Sequence, residues 1–213
     1  MGKLILKISG VAVALLLSAS IASAQAAPAK TVVFLGDSLS AGYGVKATEA
    51  FPALVAEKIR AANLPYQVEN AGVSGDATAG GLRRIDWLLQ RPIDVLVIEL
   101  GANDGLRGLP VAAIKSNLQT IIDKTKSKNP GVKVVIAGMQ MPPNLGGDYA
   151  SSFQSAFGEV AKANNATLIP FLLEGVGGMR ELNQSDSIHP TAAGHRVIAD
   201  VIWRTLEPFL RQQ

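Results

Sequence analysis

Residues 93–104 decide the fold, and they read Ile-Asp-Val-Leu-Val-Ile-Glu-Leu-Gly-Ala-Asn-Asp. The stretch joins an almost unbroken apolar run to a short segment of glycine, asparagine and aspartate. A second apolar run of this kind occupies residues 132–137. Short, nearly continuous apolar runs are typical of strands that helices cover on both faces. The two runs therefore predict interior strands of a parallel sheet.

On either side of these runs, apolar segments alternate with amphipathic segments of helical period. The predicted strands are residues 31–35, 66–69, 93–100, 132–137 and 167–169. The predicted helices are residues 51–63, 78–90, 111–128, 151–164 and 190–210. Strands that alternate with helices join by right-handed crossovers, so the order predicts a three-layer α/β/α fold with a mostly parallel, five-stranded sheet. We interpret residues 31–213 as one domain that follows a short tether at residues 25–30.

The composition excludes several classes of protein. The 213 residues include no cysteine and two histidines. The chain therefore has no disulfide, no thiol nucleophile and no cysteine-bound zinc. The formal charge is +3, and it falls to +1 without residues 1–24, which hold two lysines and no acid. The remaining basic residues form no stripe, so we expect no nucleic-acid partner.

The first 24 residues have the three-part pattern of a secretory signal peptide. Lys3 and Lys7 precede or border an apolar segment at residues 8–21, and small residues stand at Ala22 and Ala24. We expect cleavage after Ala24, a periplasmic or secreted mature protein, and no stable membrane anchor. An uncleaved anchor is the alternative, but the apolar segment is shorter than the ~20 residues that span a bilayer.

Polar residues follow the predicted strands, where open parallel sheets bind their ligands. Ser38 comes directly after the first strand, and a serine needs a neighbouring base to act as a nucleophile. His189 is the better candidate base, because Pro190 places it at the junction of a loop and a helix. Asp186 lies three residues earlier and can orient the imidazole. The alternatives are a turn or helix-cap serine and an incidental loop histidine.

Two further features concern the surroundings of these candidates. Gly72 and Asn103 also follow strands, and with the Ser38 N–H they suggest an oxyanion hole, although ordinary turn chemistry explains such residues equally well. The second histidine, His195, lies inside the predicted C-terminal helix, six residues beyond His189 and on another face. We interpret it as a solvated or partly packed side chain.

Taken together, these motifs resemble the four signature blocks of the SGNH (GDSL) hydrolases. The matching residues are Gly36-Asp37-Ser38, Gly72 within residues 70–76, Gly101-x-Asn103-Asp104 and Asp186-x-x-His189-Pro190. Residues 75–81, 105–110, 139–143 and 171–176 resemble the bacterial periplasmic arylesterase branch, which includes thioesterase and lysophospholipase enzymes. The resemblance covers essentially the whole mature chain and implies the flavodoxin-like fold of that family.

The resemblance also implies roles for individual residues. It makes Ser38 the nucleophile, His189 the base and Asp186 its orienter, with the Ser38 N–H, the Gly72 N–H and the Asn103 side chain as the oxyanion hole. We assign Asp37 and Asp104 structural hydrogen bonds only. The implied substrates are small molecules: aryl esters, short to medium acyl esters or thioesters, and lysophospholipids as a further class. No cofactor and no metal are implied.

Three other functions are alternatives to ester hydrolysis. A metallophosphoesterase has a similar pattern of Gly-Asp and Gly-x-Asn-Asp motifs, but its two-metal site needs more histidines than this chain has. An acyl-binding module without catalysis would have lost part of the triad, and here the triad is complete. An acyltransferase would use the same triad with an alcohol in place of water, and the sequence leaves that alternative open.

The substrate groove is predicted from apolar residues in two loops that follow strands three and four. Packing within the core or within the loops is the alternative for the same side chains. The candidates are Leu106, Leu109, Met141, Pro143 and Leu145, together with Pro142 and Phe171.

Overall fold

A computed structural model describes residues 30–141 and 146–212 of the chain. The predicted signal peptide and residues 25–29 of the predicted tether lie outside these residues. Within the described ranges, five strands occupy Lys30–Gly36 (β1), Tyr66–Gly72 (β2), Val95–Glu99 (β3), Lys133–Ala137 (β4) and Thr167–Ile169 (β5). The helices occupy Ser38–Ala41 (α1), Phe51–Ala61 (α2), Thr78–Leu88 (α3), Ala102–Leu106 (α4), Val111–Lys128 (α5), Gly147–Ala163 (α6) and Ala192–Arg211 (α7), and a 3-10 turn occupies Ala47–Glu49.

The strands form one parallel sheet in the order β2-β1-β3-β4-β5. This is the strand order of flavodoxin-like sheets, so the predicted fold is confirmed. All five residues of β3 are buried, as the continuous apolar run at residues 95–98 predicts. Pairing places Phe34 of β1 between Asn70 of β2 and Val97 of β3.

Two layers of helices cover the sheet. The step from β1 to β2 runs toward one edge of the sheet, and every later step runs toward the opposite edge. Right-handed crossovers therefore place α2 on one face and α3, α5 and α6 on the other. The observed contacts agree, because α3 packs against α5, α5 packs against α6, and α2 packs against α7. Aromatic pairs fill both sides of the sheet. Phe34 meets Phe51 edge-on at 5.7 Å between ring centroids, and Phe153 meets Phe157 in the same way at 5.1 Å.

The structure contains two short helices that the sequence pattern does not predict. Helices α1 and α4 have four and five residues, which is too short to show an amphipathic period. Helix α6 begins at Gly147, four residues before the predicted start. Both short helices directly follow strands that flank the reversal in strand order, and this is the position where such sheets bind ligands.

One negative finding concerns membranes. Among the described residues, no helix combines the length and the apolar character that crossing a bilayer requires.

Candidate active site

Ser38 lies at the start of α1, immediately after β1, in a segment of residues 36–41 that we name the Ser38 turn. The Asp37 side chain caps α1, since its Oδ1 accepts a hydrogen bond from the Leu39 N–H at 2.9 Å. Capping fixes the first turn of a helix by satisfying a backbone donor that has no partner within the helix. The Ser38 hydroxyl then lies 2.9 Å from Nε2 of His189, although 151 residues separate the two in sequence.

The His189 ring is held from its other side by Asp186. Nδ1 of His189 lies 2.6 Å from Oδ2 of Asp186. Oδ1 of the same carboxylate accepts the backbone N–H groups of Ile188 and His189, each at 2.9 Å. The hydrogen bond from the His189 side chain, followed by these two backbone bonds, lowers the pKa of Asp186 to about 2. Asp186 is therefore ionised at neutral pH, which favours the tautomer with the proton on Nδ1 and leaves Nε2 to accept from Ser38.

Two residues that the sequence analysis did not single out hold the His189 loop in place. The Gln184 side chain donates to the carbonyls of Tyr43 (2.7 Å) and Pro190 (3.0 Å), and its backbone N–H donates to the His189 carbonyl at 2.7 Å. The Tyr43 ring lies against the His189 imidazole, with centroids 4.5 Å apart. These contacts join the loop after α1 to the loop before α7. No signal in a single sequence marks them, because neither residue belongs to a motif.

Candidate oxyanion donors gather beside Ser38. The Ser38 N–H has no acceptor among the described residues. Asn103, near the start of α4, donates through Nδ2 to Oδ2 of Asp37 and to the carbonyl of Asp76, both at 3.0 Å. Both hydrogens of that amide group therefore have acceptors within the protein in this structure.

Gly72 differs from the sequence-based expectation. Its N–H donates to Oδ1 of Asn70 at 3.0 Å, and a Cβ at this position would collide with the backbone of Ser40 and Ala41. Gly72 thus allows the Ser38 turn to pack closely on β2, and its N–H already has an acceptor. Gly75, three residues on, has a positive φ of 82°, open space on its Cβ side, and an N–H with no acceptor among the described residues. The Gly72 N–H is therefore not the free donor that we expected, whereas the N–H of Gly75 in the loop that follows has no acceptor among the described residues.

The structural hydrogen bonds expected of Asp37 and Asp104 are present. Asp104 accepts from the backbone N–H of Thr78 at 2.7 Å and from its hydroxyl at 2.6 Å, so it ties α4 to the start of α3. Burial raises the pKa of Asp37 to about 6, against the opposing effect of its hydrogen bonds from Leu39 and Asn103.

The predicted environment of His195 was also wrong. Its side chain is fully buried, whereas we expected a solvated or partly packed one. Nδ1 accepts the N–H of Phe51 at 3.2 Å, which joins α7 to the start of α2. Burial, the main cause, lowers the pKa of His195 to about 4. The imidazole is therefore neutral at neutral pH and belongs to the core, apart from the Ser38 site.

The predicted groove residues divide into three groups. Leu106 and Leu109 are exposed at the end of α4 and in the loop that follows, and Met141 packs against Gly105 of the same helix. Phe171 lies apart from them, against Gly177. Pro142, Pro143 and Leu145 lie outside the described residues. Of the candidates that the structure describes, Leu106, Leu109 and Met141 therefore lie in or next to α4 or the loop that follows it.

The donor set of a two-metal site is not assembled in the described part of the chain. Residues 30–141 and 146–212 contain no group of three His, Cys, Asp or Glu side chains that could hold a metal ion. The fold and the contacts of Ser38, His189 and Asp186 instead define a class of protein, the hydrolases that carry a Ser-His-Asp arrangement at the carboxyl edge of a parallel sheet.

Comparison with known proteins gives the family and its relatives. Residues 34–197 match the GDSL-like Lipase/Acylhydrolase family. The esterase TesA of Pseudomonas aeruginosa is 41% identical over 92% of this chain and 99% of its own. The arylesterase of Vibrio mimicus is 36% identical over 86% and 92%, and the thioesterase 1/protease 1/lysophospholipase L1 of Escherichia coli K12 is 37% identical over 87% and 88%. The crystal structure of TesA aligns with a TM-score of 0.81 at 39% identity, over 84% of this chain and 99% of that one.

The chain belongs to the GDSL-like lipase/acylhydrolase family. The family resemblance that the four motifs suggested is therefore confirmed, and so is the flavodoxin-like fold. As a member with relatives that are named esterase, arylesterase and thioesterase, the protein is a carboxylic ester hydrolase.

Proposed function

We propose that this protein hydrolyses aryl esters and short to medium acyl esters or thioesters through an acyl-enzyme on Ser38. The observation that carries the proposal is the continuous series of contacts from Ser38 Oγ to His189 Nε2 at 2.9 Å and from His189 Nδ1 to Asp186 Oδ2 at 2.6 Å. A serine is activated when its hydroxyl contacts an imidazole whose other nitrogen binds a carboxylate.

In the first half of the reaction, Ser38 Oγ attacks the ester carbonyl carbon while His189 Nε2 takes the hydroxyl proton. The ionised Asp186, with its pKa lowered to about 2, stabilises the imidazolium that forms. His189 then gives the proton to the leaving alcohol or thiol as the bond to the acyl carbon breaks. The product of this half is an acyl group bound to Ser38.

In the second half, a water molecule replaces the leaving group. His189 takes a proton from the water as its oxygen attacks the acyl carbon, and the proton passes to Ser38 Oγ when the acyl–oxygen bond breaks. The acid leaves, and the triad returns to its starting state. The side chains that act in both halves are the same, as microscopic reversibility requires.

We assign the negative charge of each tetrahedral intermediate to three donors, the N–H groups of Ser38 and Gly75 and the Asn103 amide. The assignment of the Ser38 and Gly75 N–H groups is supported because neither has an acceptor among the described residues. Asn103 must turn one N–H from Asp37 or Asp76 toward the substrate oxygen. Hydrogen-bond donors that the protein already holds near the developing charge lower the activation barrier more than water molecules do, because water has to reorient during the reaction.

The proposed substrate class follows from the apolar surface near the site and from the names of the relatives. Leu106 and Leu109 are 45% and 36% exposed, and Met141 packs against Gly105 of α4. Apolar side chains of this number favour an aryl group or an acyl chain of modest length. Lysophospholipids are a further candidate class, supported by the lysophospholipase name of one relative.

We further propose that the protein is exported and acts after removal of residues 1–24. The support is the order of Lys3 and Lys7, an apolar segment and the small residues at Ala22 and Ala24. Intact-mass measurement of the protein from the periplasmic fraction should give a chain that begins at Gln25. A full-length chain retained in the membrane fraction would contradict this proposal.

Fluorophosphonate labelling tests the nucleophile, since the reagent reacts with activated serines. Wild type, Ser38→Ala and the control Ser116→Ala, an exposed serine on α5, are labelled and then assayed with p-nitrophenyl esters of increasing chain length. We expect Ser38→Ala to lose both labelling and turnover and Ser116→Ala to keep them. Unchanged labelling of Ser38→Ala would refute the assignment.

A separate experiment tests the acyltransferase alternative. Product analysis with added alcohol measures the share of the acyl group that passes to the alcohol in place of water.

A further inference from the structure

Glu99, the last residue of β3, lies directly beneath the Ser38 turn and takes no part in the proposed steps. Its side chain is fully buried. Oε2 accepts three hydrogen bonds, from the Asp37 N–H at 3.2 Å, the Ser40 N–H at 3.1 Å and the Ser40 hydroxyl at 2.6 Å. The donors therefore come from the residue before Ser38 and from the residue two positions after it.

The space beneath the turn is shaped for this carboxyl group. A Cβ on Gly36 would collide with the Glu99 carboxylate and with the Ser40 hydroxyl. Gly36 thus allows the backbone of β1 to pass close to both side chains. Close packing of this kind leaves the turn few alternative positions while Glu99 remains in place.

The Glu99 carboxyl group acts as an acceptor of hydrogen bonds through Oε2. Burial, followed by the charge of nearby Asp37, raises the pKa of Glu99 well above its usual range. Oε1 has no hydrogen-bond partner among the described residues, and an ionised carboxylate would be costly with one oxygen unpaired. In either protonation state Oε2 can accept from the turn, so the contact depends on the acceptor oxygen and not on the charge.

We propose that Glu99 is a positioning residue that fixes the direction of the Ser38 hydroxyl and N–H by holding the backbone on either side of them. Asp37, one of its donors, also accepts from Asn103 at 3.0 Å, so the same contact helps to align the amide of the oxyanion site. The inference rests on the proposed role of Ser38. It adds a buried residue of β3, which lies beneath the Ser38 turn, to the residues on which the reaction depends.

Substitution of Glu99 tests this role through the reactivity of Ser38. Glu99→Ala removes the acceptor, whereas Glu99→Gln keeps an amide oxygen in its place and has no charge at any pH. We expect Glu99→Ala to lower kcat and the rate constant of fluorophosphonate labelling about 100-fold, with KM changed less than about threefold, because small displacements of reacting atoms have large effects on rate. Glu99→Gln should recover both rates to within about fivefold of wild type.

Controls separate a loss of position from a loss of stability. Ile122→Ala creates a cavity in buried α5, away from the Ser38 turn, and should lower the melting temperature while kcat stays near wild type. If Glu99→Ala does not fold, Ser40→Ala removes only the 2.6 Å side-chain donor. We expect that variant to lower kcat and labelling about three- to tenfold.

Two results would overturn the proposal. The first is a folded Glu99→Ala, or Ser40→Ala in its place, with wild-type kcat and labelling. The second is a Glu99→Gln variant as slow as Glu99→Ala, which would mean that an acceptor oxygen at this position does not suffice. Ser38→Ala is measured in parallel. Residual labelling in Ser38→Ala would instead contradict the proposed nucleophile, so the two failures are distinguishable.

Discussion

Asn103 shows how much a single side chain at this site depends on its neighbours. Its amide donates to Asp37 and to Asp76, and these bonds hold Nδ2 against the residue that precedes Ser38 before any substrate arrives. When negative charge develops on the substrate, one of these two hydrogen bonds has to be exchanged for a bond to the substrate oxygen, while the other can keep the side chain in place. The same residue is therefore both a structural link between three loops and a candidate donor.

Removal of this donor should slow the chemical step. We expect Asn103→Ala to lower kcat by about 10²–10³, with a small change in KM, because the lost bond forms fully only with the tetrahedral intermediate. Steady-state kinetics with p-nitrophenyl esters measure the effect. Asn164→Ala is the matched control, since the amide nitrogen of that asparagine also donates two hydrogen bonds but lies at the end of α6. An Asn103→Ala variant with wild-type kcat would remove Asn103 from the oxyanion site.

Ser187 carries local backbone strain between Asp186 and His189. Its φ is +61°, in the left-handed region where side chains other than glycine lose about 1–2 kcal/mol. We expect Ser187→Gly to raise the melting temperature by about 1–3 °C, the net of relieved strain and of the entropy that glycine loses on folding. Ser185→Gly, in the same loop without a positive φ, should not raise it. Equal effects of the two substitutions would show that Ser187 is not strained.

At the scale of elements, His195 joins helix α7 to helix α2, its neighbour on the same face of the sheet. The buried ring accepts the Phe51 N–H at the start of α2, and its pKa is lowered to about 4. Between pH 6.5 and about 4, the unfolded chain therefore binds a proton on His195 that the folded chain does not. Stability due to this group is present above pH 6.5 and is lost as the pH falls through that range.

This linkage predicts a measurable pH dependence of unfolding. We expect the free energy of unfolding to lose at most about 3 kcal/mol from His195 between pH 6.5 and 4. Denaturant unfolding of wild type and His195→Asn across that range isolates the effect, because asparagine offers an acceptor oxygen and does not titrate. Asp37, with its pKa raised to about 6, acts in the opposite direction in both proteins and cancels in the comparison. Parallel profiles for the two proteins would contradict the prediction.

The sequence predicted long elements well and short ones poorly. Short apolar runs identified all five strands, and the period of 3.6 identified the five longer helices, because each of those helices has enough residues to show it. It missed α1 and α4, which are stabilised by contacts such as the Asp37 cap and the packing of Met141 on Gly105. The Met141 contact is a tertiary feature that no local pattern encodes, and a single cap residue before four or five helical residues is too weak a signal to predict a helix.

The same distinction explains the errors within the site. The motifs predicted Ser38, His189 and Asp186 as a group, and the structure brings all three into contact. They did not distinguish the N–H of Gly72 from that of Gly75, because the difference depends on whether Asn70 occupies the donor. Gln184, Tyr43 and Glu99 act across loops or strands that are distant in sequence, so they become visible only in the folded chain.

At the scale of the whole molecule, the parallel sheet explains why a few residues suffice for the site. The reversal in strand order brings the loops after β1 and β3 to the same edge. The last loop then crosses back from β5 and places His189 over Ser38, 151 residues away in sequence. The catalytic base thus comes from the loop that follows the last strand. We therefore expect activity to depend on the complete domain.

Insensitivity to chelators is the expected consequence for the intact enzyme. One of its two histidines contacts Ser38 and Asp186, and the other is buried with a lowered pKa. The described residues contain no group of three potential metal ligands, and the proposed steps move protons among side chains only. Prolonged dialysis against EDTA should therefore leave kcat unchanged, while a serine-directed phosphonate should abolish it. Loss of activity on dialysis, with recovery on addition of zinc or manganese, would contradict the serine mechanism, because two-metal phosphoesterases depend on their ions for the nucleophile.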